Sequence, residues 1–234
     1  MRQFSDAHLA ALAVLVTASL ASVWIPRRHP GRWVEGYARA LALLILAGWL
    51  GEYVADVALG TWTARYDLPL QLTDVVSVVA VLALWTRRVV LVELVYFWAL
   101  TASLQATVTP DLSQTFPDVY YFTYFMYHIG AVVAACLLVF GCRIHPRPHA
   151  ALRTFALTLA FVAVAGAGDL LTGGNYMYLR AKPVHNSLLN VMGPWPWYIG
   201  STAVLGLVLL LALQALAGWA RRDHASPPAA LAAD

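Results

Sequence analysis

The stretch LPLQLTDVVSVVAVLALWTRR, Leu68 to Arg88, decides how this chain is read. Pro69 punctuates its start, Gln71, Thr73 and Asp74 place polar side chains in its first two turns, and an apolar run then leads to the pair Arg87 and Arg88. An apolar run closed by basic residues marks a membrane-spanning helix. A carboxylate inside such a helix costs roughly 2.5–3.5 kcal/mol on insertion scales, so Asp74 points to a functional site by default.

The rest of the chain has the same character. Hydrophobic residues make up 61% of its 234 positions and charged residues only 12%, about half the charged share of a soluble domain. This composition specifies an integral membrane protein. Cys136 and Cys142 lie six apart on one expected helix, a spacing that suits neither a disulfide nor a zinc site. No metal and no cofactor is expected. The net charge is +3, and the basic residues sit at helix ends, where they report topology; no nucleic-acid partner is expected.

Apolar windows bounded by charge or proline predict seven spans, at about 7–25, 34–59, 68–85, 89–109, 119–141, 151–171 and 197–219. The first carries its arginines, Arg27 and Arg28, after the apolar core and not before it, so it reads as a retained anchor and not as a signal peptide. With loops assigned alternately, one side holds Arg27, Arg28, Arg32, Arg39, Arg87, Arg88, Arg143, Arg147, Arg153, Arg221 and Arg222. The other holds Arg2, Arg65, Arg180 and Lys182. The positive-inside rule then places the N-terminus outside and the C-terminus in the cytoplasm. The expected fold is all-α: a polytopic seven-transmembrane-helix bundle over residues 1–222, followed by a disordered cytoplasmic tail, 223–234.

In this topology the polar side chains gather in the outer half of the bundle. Thr73 falls about 7.5 Å below the outer boundary and His128 about 12 Å. Glu52, Asp56, Thr101, Gln105 and Asp169 share the layer, whereas the inner half offers mainly Glu93. Glu52 with Asp56, and Thr101 with Gln105, are four apart, and Tyr121, Tyr124 and His128 follow at three and seven, so each set shares a helix face. His128 reads as the histidine set deep in the bundle. The link of some 25 residues from Thr172 to Pro196 is long enough to be functional and is expected to fold over the outer mouth, with Trp62, Trp195 and Trp197 as an interfacial belt.

Each position also has an ordinary reading. A threonine in an apolar helix usually back-bonds to the carbonyl four residues earlier, and a buried histidine is usually a hydrogen-bonded structural one. Asp74 has an ion pair with Arg65 or Arg180 as its ordinary reading, Tyr121 and Tyr124 packing, and Glu52 and Asp56 snorkelling to water.

The segments LPLQLTD (Leu68 to Asp74), ELVYFWALTASLQATVTPDL (Glu93 to Leu112), FMYHIGAV (Phe125 to Val132), GGNYMYLRAKP (Gly173 to Pro183) and GPWPWY (Gly193 to Tyr198) resemble the bacterial YwaF-like integral membrane proteins. These are relatives of the transmembrane protein 164 family and, more distantly, of the androgen-induced-protein lipid hydrolases. The resemblance runs from the second span to the seventh. It implies acyl transfer between lipids or lipid-ester hydrolysis, with the nucleophile on Thr73 and the base on His128. Where the bacterial pattern has a His, Leu, Cys, Asp run, this chain has Gln71, Leu72, Thr73 and Asp74, so thiol chemistry is excluded and the likeness shifts toward the threonine hydrolases.

A threonine hydroxyl needs a neighbouring base and a group that orients it. Asp74 is the expected orienting group, Gln71 and Gln105 the expected oxyanion donors, and Thr101, Tyr124, Asn175 and Tyr176 the expected substrate-binding positions. The expected partner is a membrane lipid or acyl-lipid substrate, and the expected location the prokaryotic inner (plasma) membrane. The alternative is a small-molecule or lipid transporter or binding protein with a polar intramembrane cavity; no internal repeat or pair of broken helices supports it. A retinal photoreceptor is excluded because the one lysine, Lys182, falls in a loop.

Overall fold

The structure, a computed structural model, describes residues 1–185 and 187–222. Among these residues there is no strand, and besides two short 3-10 turns (Tyr176–Tyr178 and Leu188–Val191) there are seven helices: α1 (Asp6–Arg28), α2 (Trp33–Leu59), α3 (Leu72–Thr86), α4 (Val89–Val108), α5 (Val119–Gly141), α6 (Ala150–Thr172) and α7 (Trp197–Arg222). Six of them are long and apolar enough to cross a membrane. The exception is α3, whose 15 residues reach about 22 Å against a hydrocarbon core of about 30 Å. The span expected from residue 68 starts instead at Leu72. Pro69 disfavours helix at its predecessor, and Gln71 is extended with ψ 144. The expected tail, 223–234, lies outside the described residues.

Helix α5 is the axis of the bundle. Most of its residues are buried, whereas α6 and α7 keep most of theirs on the outer surface. Helices α1, α2, α3 and α4 pack on α5, and α6 and α7 form a pair behind α4. Two side-chain ties fasten that pair: the Trp98 indole donates to Thr158 Oγ1 at 2.8 Å, and the Tyr96 hydroxyl to the Leu213 carbonyl at 2.9 Å.

Successive helices alternate in direction. Met1 and Ala7 meet Leu112 and Tyr121 at one end, where Asp56 also meets Tyr120 and Leu68 meets Tyr176. At the other end Arg27 donates to the Phe140 carbonyl, Arg221 to the Pro146 carbonyl, and Arg147 and Arg153 to Glu93. The arginine-rich loops therefore share one end and the polar constellation the other. Glu93, only 3% exposed, holds Arg147 bidentately at 2.8 and 2.9 Å; the carboxylate pushes the Arg147 guanidinium pKa up.

The α2–α5 contact is made by backbone. A Cβ on Gly48 would lie 2.8 Å from the Met126 Cβ and 3.1 Å from the Thr123 carbonyl oxygen, so only glycine admits this approach. Small residues at helix contacts serve the same purpose throughout membrane bundles, where close packing replaces the hydrophobic effect as the drive for association. Gly48→Leu is expected to force α2 off α5 and to cost about 1–3 kcal/mol, read as a lowered apparent Tm of the detergent-purified protein.

Candidate functional site

The site begins where α3 begins. Asp74 is the third residue of the helix, and its Oδ2 accepts from the Gln71 backbone N–H at 3.0 Å, half of a capping box. Its Oδ1 accepts from the Trp49 indole at 3.2 Å, and the Tyr53 ring packs edge-on against Trp49 at 5.3 Å. An ion pair with Arg65 or Arg180 is not what holds it. The awkward carboxylate is satisfied because it lies at a helix start, where the dipole favours negative charge, and because α2 brings the Trp49 indole as a donor.

Thr73, half-buried, is the second residue of α3. The position four residues earlier, Pro69, is outside the helix, so the usual back-bond has no helical acceptor. Ser77 instead donates to the Thr73 carbonyl at 2.9 Å. The hydroxyls of Thr86, Thr101, Thr107, Thr158 and Thr172 do make that back-bond. Thr73 differs from them by its place in the helix.

His128 is 3% exposed, with its ring 4.2 Å from those of both Tyr124 and Tyr127. Its Nδ1 is buried without a hydrogen-bond partner among the described residues. A second histidine, His8, is fully buried, which corrects the expectation that His128 alone lies deep. His8 Nδ1 accepts from the Phe4 N–H at 2.9 Å, so its proton sits on Nε2, which donates to the Thr107 carbonyl at 2.9 Å. His8 is the satisfied structural histidine, tying α1 to α4. Leaving a buried nitrogen unpaired costs about 1–3 kcal/mol, and in a native protein such a group needs a reason.

One turn of α2 sets the level of both groups. Gly48 abuts the Tyr127 backbone, Trp49 holds Asp74, and the Glu52 carboxylate lies near the Tyr127 phenol. Tyr127 adjoins His128 and Asp74 adjoins Thr73, so the start of α3 and the aromatic cage of His128 occupy one layer. Asp56, expected to snorkel, is instead tied to the Tyr120 hydroxyl at 2.7 Å.

The remaining expected positions have definite partners. Gln71 Oε1 accepts from the Met177 N–H at 2.8 Å, which joins α3 to the long loop and leaves the Gln71 amide hydrogens as donors. Gln105 Nε2 donates to Thr109 Oγ1 at 2.6 Å, one turn along α4. Thr101 back-bonds to Phe97 at 2.7 Å within a π-type turn, Ala99–Ser103, that packs on α5. The Tyr124 hydroxyl donates to the Ala106 carbonyl at 2.9 Å. Asn175 spends its side chain inside the loop, accepting from the Arg180 and Ala181 N–H groups. Tyr176, 1% exposed, clamps the link before α3: its hydroxyl accepts from the Leu68 N–H and donates to the Ala64 carbonyl. Asn175 and Tyr176 thus brace the loop, whereas Tyr124 touches His128 directly.

The family model described as TMEM164 family matches residues 3–214. The chain belongs to the TMEM164 family. An uncharacterized protein of Treponema pallidum (strain Nichols) is 26% identical over 219 residues, covering 89% of this chain and 88% of that protein. No solved structure matches. The chain is therefore a TMEM164-family helical membrane protein with a bacterial relative.

Sequence reasoning missed Trp49, Tyr53 and Tyr127, which cage Asp74 and His128, and it missed the clasp of the long loop. In this TMEM164-family chain Asp111 receives the Tyr178 hydroxyl at 2.9 Å on Oδ2 and meets His185 Nδ1 at 2.5 Å on Oδ1. Burial and the neighbouring Asp111 carboxylate push the Tyr178 phenol pKa up, so it stays a donor. The Tyr198 hydroxyl donates to the Tyr178 carbonyl. The loop thereby lies across the end of the bundle where α3 starts. The available signal was the acid in TPDL (Thr109–Leu112), directly after α4. Asp111→Ala removes both clasps; the expected outcome is at least tenfold faster amide exchange over residues 176–185, with α5 unchanged, by hydrogen-exchange mass spectrometry.

Proposed function

We propose that this TMEM164-family protein is a membrane-embedded lipid acyltransferase or lipid-ester hydrolase, with Thr73 as nucleophile and His128 as base. The observation that carries the reading is the caged His128, whose buried Nδ1 is unpaired while the other deep histidine, His8, is fully satisfied. Thr73 stands in the same layer, at a helix start with no back-bonding acceptor behind it. The resemblance of LPLQLTD and FMYHIGAV to the YwaF-like proteins, more distantly related to the threonine lipid hydrolases, points the same way. The proposed setting is the prokaryotic inner membrane, with seven spans, the N-terminus outside, and the site opening toward the outer leaflet. A seven-span topology asks the short α3 to be lengthened by its flanking residues or met by a thinned bilayer.

In the proposed reaction Thr73 Oγ attacks the acyl carbonyl as His128 takes the hydroxyl proton. The first turn of α3 presents backbone N–H groups without helical acceptors, and the Gln71 amide lies beside them; these stabilise the developing oxyanion. Collapse breaks the ester bond, and the imidazolium returns its proton to the departing alcohol. This leaves an acyl ester on Thr73, which water or a second lipid hydroxyl resolves by the same proton path in reverse. Asp74 acts by fixing the helix start, through Gln71 and Trp49, and not through His128. Tyr124 and Tyr127 hold the imidazole plane. Tyr176, Asn175 and Thr101 support the mouth.

Incubating the purified protein with an activated acyl-ester probe tests this. Acylation of Thr73 is expected in the wild type, absent in Thr73→Ala, partly retained in Thr73→Ser, and slowed by about 10²–10⁴-fold in His128→Ala. Labelling that persists undiminished in both alanine variants sinks the proposal. Saturable uptake into vesicles without acylation supports the transporter instead.

A further inference from the structure

Helices α1 and α2 follow one another in sequence but do not lie against each other along their length. Each packs on α5, and between them runs a lateral groove of about 860 Å³, within the range of ligand sites. Ala10, Val14 and Ala40 form its walls, and Phe122, Met126 and Val133 of α5 its floor. From Tyr121 to Val133 the floor extends about 18 Å, slightly more than one leaflet's share of a ~30 Å hydrocarbon core. Phe122, Met126 and Val133 project roughly 120–160° around α5 from His128, so the middle of the groove is separate from the proposed catalytic site, whose face it shares only toward the Tyr121 rim.

The two ends of the groove differ. At one, Phe116 and Tyr121 form an aromatic rim. At the other, Ser22 and Tyr37 close it with a hydroxyl contact of 2.6 Å. Just beyond lies the α1–α2 turn, RRHPGR, Arg27 to Arg32. Arg27 is spent on the Phe140 carbonyl. Arg28 is exposed, its guanidinium 5.5 Å from the Trp24 ring centroid, and Arg32 is exposed at the cap of α2. The nearby acid, Glu35, turns to the α3 side of α2 with Arg39. The closed end therefore presents uncompensated positive charge between the exposed Trp24 and Trp33, residues suited to headgroup depth.

We propose that this groove seats an acyl chain of an anionic phospholipid whose phosphate rests on Arg28 and Arg32. An apolar channel that reaches Tyr37, about 7.5 Å along α2 from the exposed Arg32, suits a molecule with an apolar chain and an anionic head. A helix from a second copy fits less well. A symmetric pair meeting here would bring two RRHPGR turns to the same membrane face, with like charges opposed.

Native mass spectrometry of the intact, detergent-purified protein, titrated with phosphatidylglycerol or phosphatidylcholine, tests this. The wild type is expected to retain phosphatidylglycerol about ten- to thirty-fold better than phosphatidylcholine, from two arginines near the surface. Val14→Phe with Ala40→Phe fills the groove from its half-open side and is expected to abolish both adducts. Arg28→Gln with Arg32→Gln, both exposed, is expected to equalise the two lipids. The proposal is overturned if the folded phenylalanine variant keeps wild-type phosphatidylglycerol adducts, or if it turns a dimeric wild type monomeric, which assigns the groove to a second copy. If circular dichroism shows the phenylalanine variant unfolded, the arginine variant decides: persisting selectivity for phosphatidylglycerol overturns the proposal, and lost selectivity supports it.

Discussion

The backbone contact of α2 with α5 at Gly48 is the constraint on which the rest of the structure depends. A membrane bundle gains little from moving apolar surface out of lipid, so its helices associate through close packing and internal hydrogen bonds. Gly48 permits both here. With no Cβ in the way, the neighbouring turns of α2 deliver Trp49 to Asp74, Glu52 to Tyr127 and Asp56 to Tyr120. The start of α3 and the His128 cage are both positioned from that one stretch of α2.

The two buried histidines show how a low-dielectric interior separates structure from chemistry. His8 has both ring nitrogens engaged, one by a donor and one by an acceptor, and it joins α1 to α4. His128 is held by aromatic faces, and its Nδ1 has no partner among the described residues. Water is absent from hydrocarbon, so every unpaired polar atom there has a cost. A cost maintained at one histidine and removed at the other motivates the functional assignment of His128.

The polar end of the molecule is closed by its longest loop, through backbone and side-chain partners alike. Met177 engages Gln71, Tyr176 engages the link before α3, and Asp111 clasps Tyr178 and His185. The opposite end is simpler, a set of arginines that grip carbonyls and the buried Glu93. The polar asymmetry along the bundle axis is therefore also an asymmetry of construction.

Composition and apolar periodicity determined by themselves that this is an all-helical membrane protein, and they located its helices, its basic end and its polar layer, because hydrocarbon tolerates few other arrangements. The residues quoted from Leu68 onward also marked Thr73 and His128 as the positions to test. Tertiary structure alone decided the partners. Asp74 reads in sequence as a site carboxylate or an arginine's partner, whereas its late helix start makes it a cap and α2 supplies the Trp49 indole. Asn175 and Tyr176 read as substrate positions, and the structure adds that they brace a loop. His8 reads as a helix-end residue, yet it is enclosed by α4 and α5. Periodicity reports which face of a helix is apolar, whereas a hydrogen-bond partner is set by which neighbour a close approach, here through Gly48, brings within 3 Å, and that neighbour is distant in sequence.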